Sequence, residues 1–196
     1  MAVPRVAGPL LQAIAAATAW LKQANIPAAV IGGVAASLLG HPRVTKDVDL
    51  VVLADDGDIA RLLLLGREHG VAPRVADAVA FARESRVLLL KHEPSGIEID
   101  LALAGLAFER EVIERAVERS VRGVSFRVAT PEDIVVMKAI AMRPRDMADI
   151  GAILDAWHEL DLPRIRGVLK AFTQALETDD FSAEFERLLA RHRRGS

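Results

Sequence analysis

The stretch from Val30 to Val52 limits what this chain can fold into more than any other. A short apolar run, Ala28-Ala29-Val30-Ile31, meets a double glycine, Gly32-Gly33. A small-residue helix is expected over Val34–Leu39, and a strand then opens as Asp47-Val48-Asp49-Leu50-Val51-Val52. Strand side chains alternate between faces, so Asp47 and Asp49 point one way while Val48, Leu50 and Val52 point the other, toward a core. Two carboxylates held side by side repel unless a cation or a proton sits between them. A hard divalent cation with oxygen ligands suits such a pair, and Mg²⁺ commonly joins one or two carboxylates to substrate phosphates.

The glycines supply the other half. Gly32-Gly33 lets the backbone pass close to a ligand because no Cβ intervenes. They open the expected helix, whose unpaired N–H groups form an anion site. A phosphate site beside a metal-binding acid pair points to phosphoryl or nucleotidyl transfer. Taken alone, the same residues also read as a glycine turn followed by solvated strand-end acids.

Gly-Gly, thirteen intervening residues (34–46) and Asp-x-Asp on an apolar strand resemble the signature of the DNA polymerase β-like nucleotidyltransferases. The form Gly-Gly-x-Ala … Arg-x-Thr-x-Asp-x-Asp, from Gly32 through Arg43 and Thr45 to Asp49, is most similar to the AbiEii-type branch, the toxins of abortive-infection and toxin–antitoxin systems. Many members of that branch carry Gly-Ser here; Gly33 lacks that hydroxyl and its phosphate contact. The resemblance implies an α/β (α+β) nucleotidyltransferase fold, a mixed β-sheet flanked by helices and followed by a C-terminal helical part. The expected boundaries are a catalytic domain over 1–129 and a helical domain over 130–196.

Further along, Arg86–His92 and Ile97–Leu103 read as strands joined by the turn Glu93-Pro94-Ser95-Gly96. In the second of these, Ile97, Ile99, Leu101 and Leu103 face a core while Glu98 and Asp100 share the other face. The resemblance places a third metal-binding carboxylate on a strand after such a hairpin. Asp100 stands there in the order, with Glu98 as its competitor. A strand is also expected over Val75–Phe81, a mixed-charge helix over Glu109–Ser120 and a strand within Val121–Val128.

The helical half begins at Thr130-Pro131-Glu132-Asp133, an N-cap followed by proline at the first helical position. Lys138 shares a face with Ile134 and Ala141, where a lysine either snorkels or reaches a phosphate. Lys138-x-x-Ala141 … Arg145-Asp146-x-x-Asp149 resembles the two C-terminal motifs of the AbiEii-type branch, which implies a phosphate-holding lysine and a supporting aspartate. Asp146 is favoured for the latter, with Asp149 left open. Two more helices are expected, over Leu162–Thr178 and Phe181–Arg193, with Asp180 capping the second. The tail residues Arg187, Arg191, His192, Arg193 and Arg194 are locally basic.

Composition narrows the options. The chain has no cysteine, which excludes disulfides, thiolate metal sites and cysteine nucleophiles. A formal charge of −2 over 196 residues offers no strong field for nucleic acid. No apolar run approaches the ~20 residues of a membrane span, so a cytoplasmic protein without a membrane partner is expected. The resulting expectation is a Mg²⁺-dependent nucleotidyltransferase, with two ions (or Mn²⁺ in their place) on Asp47, Asp49 and Asp100. Gly32, Gly33, Thr45, Lys46 and Lys138 would hold the nucleoside triphosphate, ATP among the candidates, and Asp146 would support catalysis. By resemblance the acceptor is RNA or a protein, with a cognate antitoxin or regulator as partner. A small-molecule, antibiotic-type adenylyltransferase and a non-catalytic nucleotide- or protein-binding regulator are the alternatives.

Overall fold

The acid-bearing strand forms as its alternation requires. β2 (Asp47–Val52) buries Val48, Leu50 and Val52 while Asp47 and Asp49 stay partly exposed. The structure, a computed structural model, describes residues 8–177 and 181–195. The expected cap Asp180 lies outside the described residues, as do the side chains of Arg193 and Arg194.

The chain divides into two compact units, one comprising Met1–Ala35 and Val44–Ala129, the other Ala36–Arg43 and Thr130–Ser196. In the first unit the described residues form one seven-stranded sheet. Besides β2, its strands are β1 (Ala28–Val30), β3 (Val71–Pro73), β4 (Val87–His92), β5 (Ile97–Leu103), β6 (Val117–Val121) and β7 (Val124–Val128). Their order is β3-β4-β5-β2-β1-β7-β6. β2 runs parallel to β5 and β1 parallel to β7, while the other neighbours are antiparallel, so the sheet is mixed.

The apolar face of β2 and β5 builds the core. Val48, Ile99 and Leu101 are fully buried, and each such side chain contributes about 1.5–3 kcal/mol relative to exposure. Helices α1 (Gly8–Gln23) and α3 (Ile59–Glu68) close this core through Ile14, Trp20, Ile59 and Leu62. The Trp20 indole N–H donates to the Leu62 carbonyl at 3.0 Å, which satisfies its buried polar atom.

Two expected elements are corrected. Residues 75–81 are not a strand: Asp77 accepts the Ala80 N–H at 3.0 Å and caps α4 (Ala78–Ser85). That cap, followed by alanines, outweighs the alternation of Val75, Ala76 and Val79. The edge strand is β3, just upstream. The helix expected to Ser120 stops earlier, as α5 (Ala107–Arg115), and Val117–Val121 pairs with β7. Arg122 and Gly123 both have positive φ (49° and 83°), the geometry of a tight hairpin turn. β6 is an exposed edge strand, so its residues Glu118-Arg119-Ser120 carry no apolar alternation to betray it.

The second unit holds α6 (Pro131–Ala141), α7 (Pro144–Ala156), α8 (Leu162–Leu176) and α9 (Phe181–Gly195). Thr130 caps α6 by accepting the Asp133 N–H at 3.3 Å, worth about 1 kcal/mol. α6 packs against α7, α8 and α9, with Ile134, Ile150, Ile153, Ile165 and Leu169 buried. Helix α2 (Gly32–Leu39) begins at the first glycine, earlier than expected, and its last turn groups with this unit. There the Trp157 indole donates to the Leu39 carbonyl at 2.7 Å. Gly40 lies against the Ala152 backbone, where a Cβ would come within 3.0 Å. Arg187 and Arg191 both pair with Glu184, so these two arginines of the basic tail are engaged in ion pairs, and His192 Nε2 lies 3.3 Å from Asp155 Oδ1. Among the described residues no helix is long and apolar enough to cross a membrane.

Candidate active site

Parallel pairing of β2 with β5 sets four acids in two rows: Asp47 stands opposite Glu98 and Asp49 opposite Asp100. Residues in register share a face of the sheet, so all four carboxylates arise on one side. Below them the same face of β2 turns apolar at Val51, which is buried. The acids therefore occupy the opening end of both strands.

The turn from β1 into α2 wraps around Asp49. Its carbonyl accepts the Ile31 N–H at 2.9 Å, and its Oδ2 accepts the Gly33 N–H at 3.3 Å. Gly32 has φ +60°, and a Cβ there would lie 1.9 Å from Asp49 Oδ2. The double glycine thus builds the acid site itself, with Gly33 committed to the carboxylate. Asp47 is fixed from its own strand entrance, where the Thr45 hydroxyl donates to Oδ1 at 2.9 Å. Lys46 is exposed at the same entrance.

Asp100 carries a partner that the sequence reading missed. Arg74 Nη2 donates to Asp100 Oδ1, and Arg74 Nη1 lies 3.6 Å from Glu98 Oε2. Arg74 directly follows β3 (Val71–Pro73), a strand the sequence reading does not contain, so its neighbourhood could not be inferred. Among the described residues, no three His, Asp or Glu side chains stand arranged to hold a metal ion. The donor set nevertheless fits a hard divalent cation: carboxylates in adjacent register on one face.

The helical unit holds a second charged cluster. Lys138 Nζ lies 3.1 Å from Asp146 Oδ1 and 2.6 Å from Asp149 Oδ2. Arg43 grips Asp149 with two N–H donors, at 2.7 and 3.0 Å. Arg143 binds Asp146 through Nε at 2.5 Å, and its backbone N–H donates to the same carboxylate at 3.3 Å. Asp146 thereby caps α7, whose first helical residue is Pro144. Lys138, Arg43 and Arg143 thus converge on two aspartates. Burial raises the Asp146 carboxyl, but the hydrogen bonds and charges of Arg143 and Lys138 outweigh it and hold the pKa below the ordinary 3.8. Asp149 follows the same balance, burial against Arg43 and Lys138, and is also held low. Both aspartates, and not one, engage Lys138. In the sequence Arg43 stands only as part of the motif, and its place between Gly-Gly and Asp-x-Asp is the one signal of its role.

The sheet, its glycine-opened helix and the acid face are those of a nucleotidyltransferase fold. One similar solved structure is an antigenic nucleotidyltransferase-like protein from Paracoccidioides brasiliensis, 18% identical with a TM-score of 0.56, covering 87% of this chain and 90% of that one. Another is the antibiotic-resistance factor ANT(2'')-Ia, 18% identical with a TM-score of 0.57, covering 94% and 97% respectively. A further structure of ANT(2'')-Ia, in complex with adenylyl-2''-tobramycin, gives 19% identity and a TM-score of 0.54, with coverage of 86% and 98%. At such identities the likeness is one of fold. No curated protein matches the chain in sequence. The model of the family described as "Nucleotidyl transferase of unknown function (DUF2204)" matches residues 10–177, and the chain belongs to that family.

Proposed function

We propose that this nucleotidyltransferase moves a nucleoside monophosphate from a nucleoside triphosphate to an acceptor hydroxyl and releases pyrophosphate, with Asp47, Asp49 and Asp100 as its metal-binding acids. The observation that carries this reading is the place of Asp49, in register with Asp100 and gripped by a glycine turn that tolerates no Cβ. An ordinary solvated strand end needs no such cradle.

The acids would hold Mg²⁺, or Mn²⁺ in its place, most simply as two ions. Bound there, such cations would supply charge neutralisation to the phosphoryl oxygens. The protein's own part is orientation. Gly33 holds Asp49 and Thr45 holds Asp47, so neither carboxylate has to be ordered when substrate arrives. The acceptor oxygen bonds to the α-phosphorus as the bond to the β-phosphate breaks, and Asp100 is the acid assigned to take the hydroxyl proton. Lys46, exposed at the entrance to β2, serves the triphosphate, while Gly32 and Gly33 act on it through Asp49, which they hold in place. In the helical unit Asp146 and Asp149 hold Lys138 in place.

A small hydroxyl-bearing molecule is the favoured acceptor. The chain and ANT(2'')-Ia cover each other almost end to end, and the charge of −2 gives RNA little to bind. A second reading, transfer to RNA or protein by an AbiEii-type toxin with a cognate antitoxin, is favoured by the Lys138–Asp146 pair, which joins the two C-terminal motifs at 3.1 Å. The test is incubation with Mg²⁺, labelled triphosphates and three acceptor pools: aminoglycosides and other polyols, total RNA, and lysate protein. Label should move to the small-molecule pool and vanish in Asp49→Ala. Labelled RNA or protein supports the second reading, and turnover retained by Asp49→Ala contradicts both.

A further inference from the structure

We infer that Arg74 is a positioning residue that sets divalent-cation affinity at the acid face, by holding the Asp100 carboxylate until a cation takes its place. This rests on the metal reading of Asp47, Asp49 and Asp100.

Arg74 is anchored for the task. Its backbone N–H donates to the Leu89 carbonyl at 3.0 Å, which extends the β3–β4 pairing by one residue. Leu89 is in turn the register neighbour of Asp100 on β5. The side chain therefore crosses one strand to reach the acids, and it is only 28% exposed. A guanidinium on so short a tether reaches Asp100 and Glu98 together, which stand two residues apart on one face.

Its charge opposes a cation in two ways. It cancels part of the negative field of the four acids, and it occupies an oxygen that a metal would need. A divalent ion that recruits Asp100 must first displace the guanidinium. Glu98, more exposed than Asp100 and already 3.6 Å from Nη1, is the carboxylate to which it moves. The acid face thus carries its own internal counter-ion with two stations, Asp100 before a cation binds and Glu98 after. This accounts for two features together: the absence of a ready three-acid cluster among the described residues, and a second acid beside Asp100 on a strand that needs only one.

The experiment is Mn²⁺ binding to the full chain without nucleotide, read by the electron paramagnetic resonance of free Mn²⁺. Wild type, Arg74→Gln, Arg74→Lys and Asp49→Asn are compared, with urea midpoints confirming that each is folded. Arg74→Gln should bind about tenfold more tightly, the effect of removing one competing unit charge from a partly solvated site. Arg74→Lys should stay near wild type, and Asp49→Asn should lose binding. Equal or weaker binding by Arg74→Gln overturns the role of Arg74 while leaving the metal reading intact, provided Asp49→Asn still abolishes wild-type binding. A raised KM for the triphosphate in Arg74→Gln with unchanged Mn²⁺ affinity makes Arg74 a phosphate ligand and also overturns it. Absence of Mn²⁺ from both wild type and Arg74→Gln overturns the metal reading along with the inference.

Discussion

A Cβ on Gly32 would sit 1.9 Å from Oδ2 of Asp49, and Gly32 holds φ at +60°. The two residues, seventeen positions apart, are fitted to each other as backbone to carboxylate. Gly32→Ala should therefore lose nucleotidyl transfer almost completely. It should also cost at least about 1–2 kcal/mol of stability from the left-handed backbone alone. Urea unfolding and label transfer measured on one preparation check both; an active, undiminished Gly32→Ala would contradict the cradle.

Lys138 holds two buried aspartates, and removing it leaves their charges with fewer partners. Breaking a buried ion pair from one side costs about 3–5 kcal/mol, and the arginines that remain on Asp146 and Asp149 put Lys138→Met at the lower end. The measurement is a urea midpoint for Lys138→Met against wild type. The double variant Lys138→Met/Asp149→Asn should lose less than the sum of the two single changes, because both remove the same Lys138–Asp149 contact. A neutral Lys138→Met would mean that the cluster contributes nothing to folding.

The same cluster fixes the sign of an acid transition. Asp146 and Asp149 have folded-state pKa values below the ordinary 3.8. Their stabilisation is fully present above the unfolded value and is lost as pH falls through the folded ones. His92 works in the same direction at higher pH. Burial holds its imidazole below the ordinary 6.5, so its share is present above 6.5 and fades as pH falls beneath that. Urea midpoints taken from pH 8 down to pH 3 should fall gently at first and steeply below about 4. The steep part should shrink in Asp149→Asn.

Arg122 occupies the first of two positive-φ positions in the β6–β7 turn, ahead of Gly123. Asparagine tolerates that conformation better, and Asn-Gly is the favoured pair for such hairpins. Arg122→Asn should raise stability by roughly 0.5 kcal/mol without changing transfer. A lower urea midpoint would contradict the turn geometry.

What the sequence made legible follows from how each element signals itself. β5 alternates along its length and β2 does so as far as Leu50, so the acids of each strand could be placed on one face of that strand before any coordinates. The caps at Thr130 and Pro131 announced α6. By contrast, β6 is an exposed edge with no apolar rhythm, and β3 is three residues long. Missing β3 hid Arg74, whose meeting with Asp100 depends on the β3–β4–β5 register. Arg43 was hidden for another reason: its partner Asp149 lies 106 residues away, a distance no local pattern spans.

The most direct measurement compares single-turnover transfer rates for Asp47→Asn, Asp49→Asn, Asp100→Asn and the double variant Asp49→Asn/Asp100→Asn, all at saturating Mg²⁺ and triphosphate. If the three acids act as one unit, each single change should lower the rate by about a thousandfold or more. The double variant should then be little slower than either single one, as groups that work together are not additive. An Asp100→Asn enzyme that turns over at the wild-type rate would contradict the assignment.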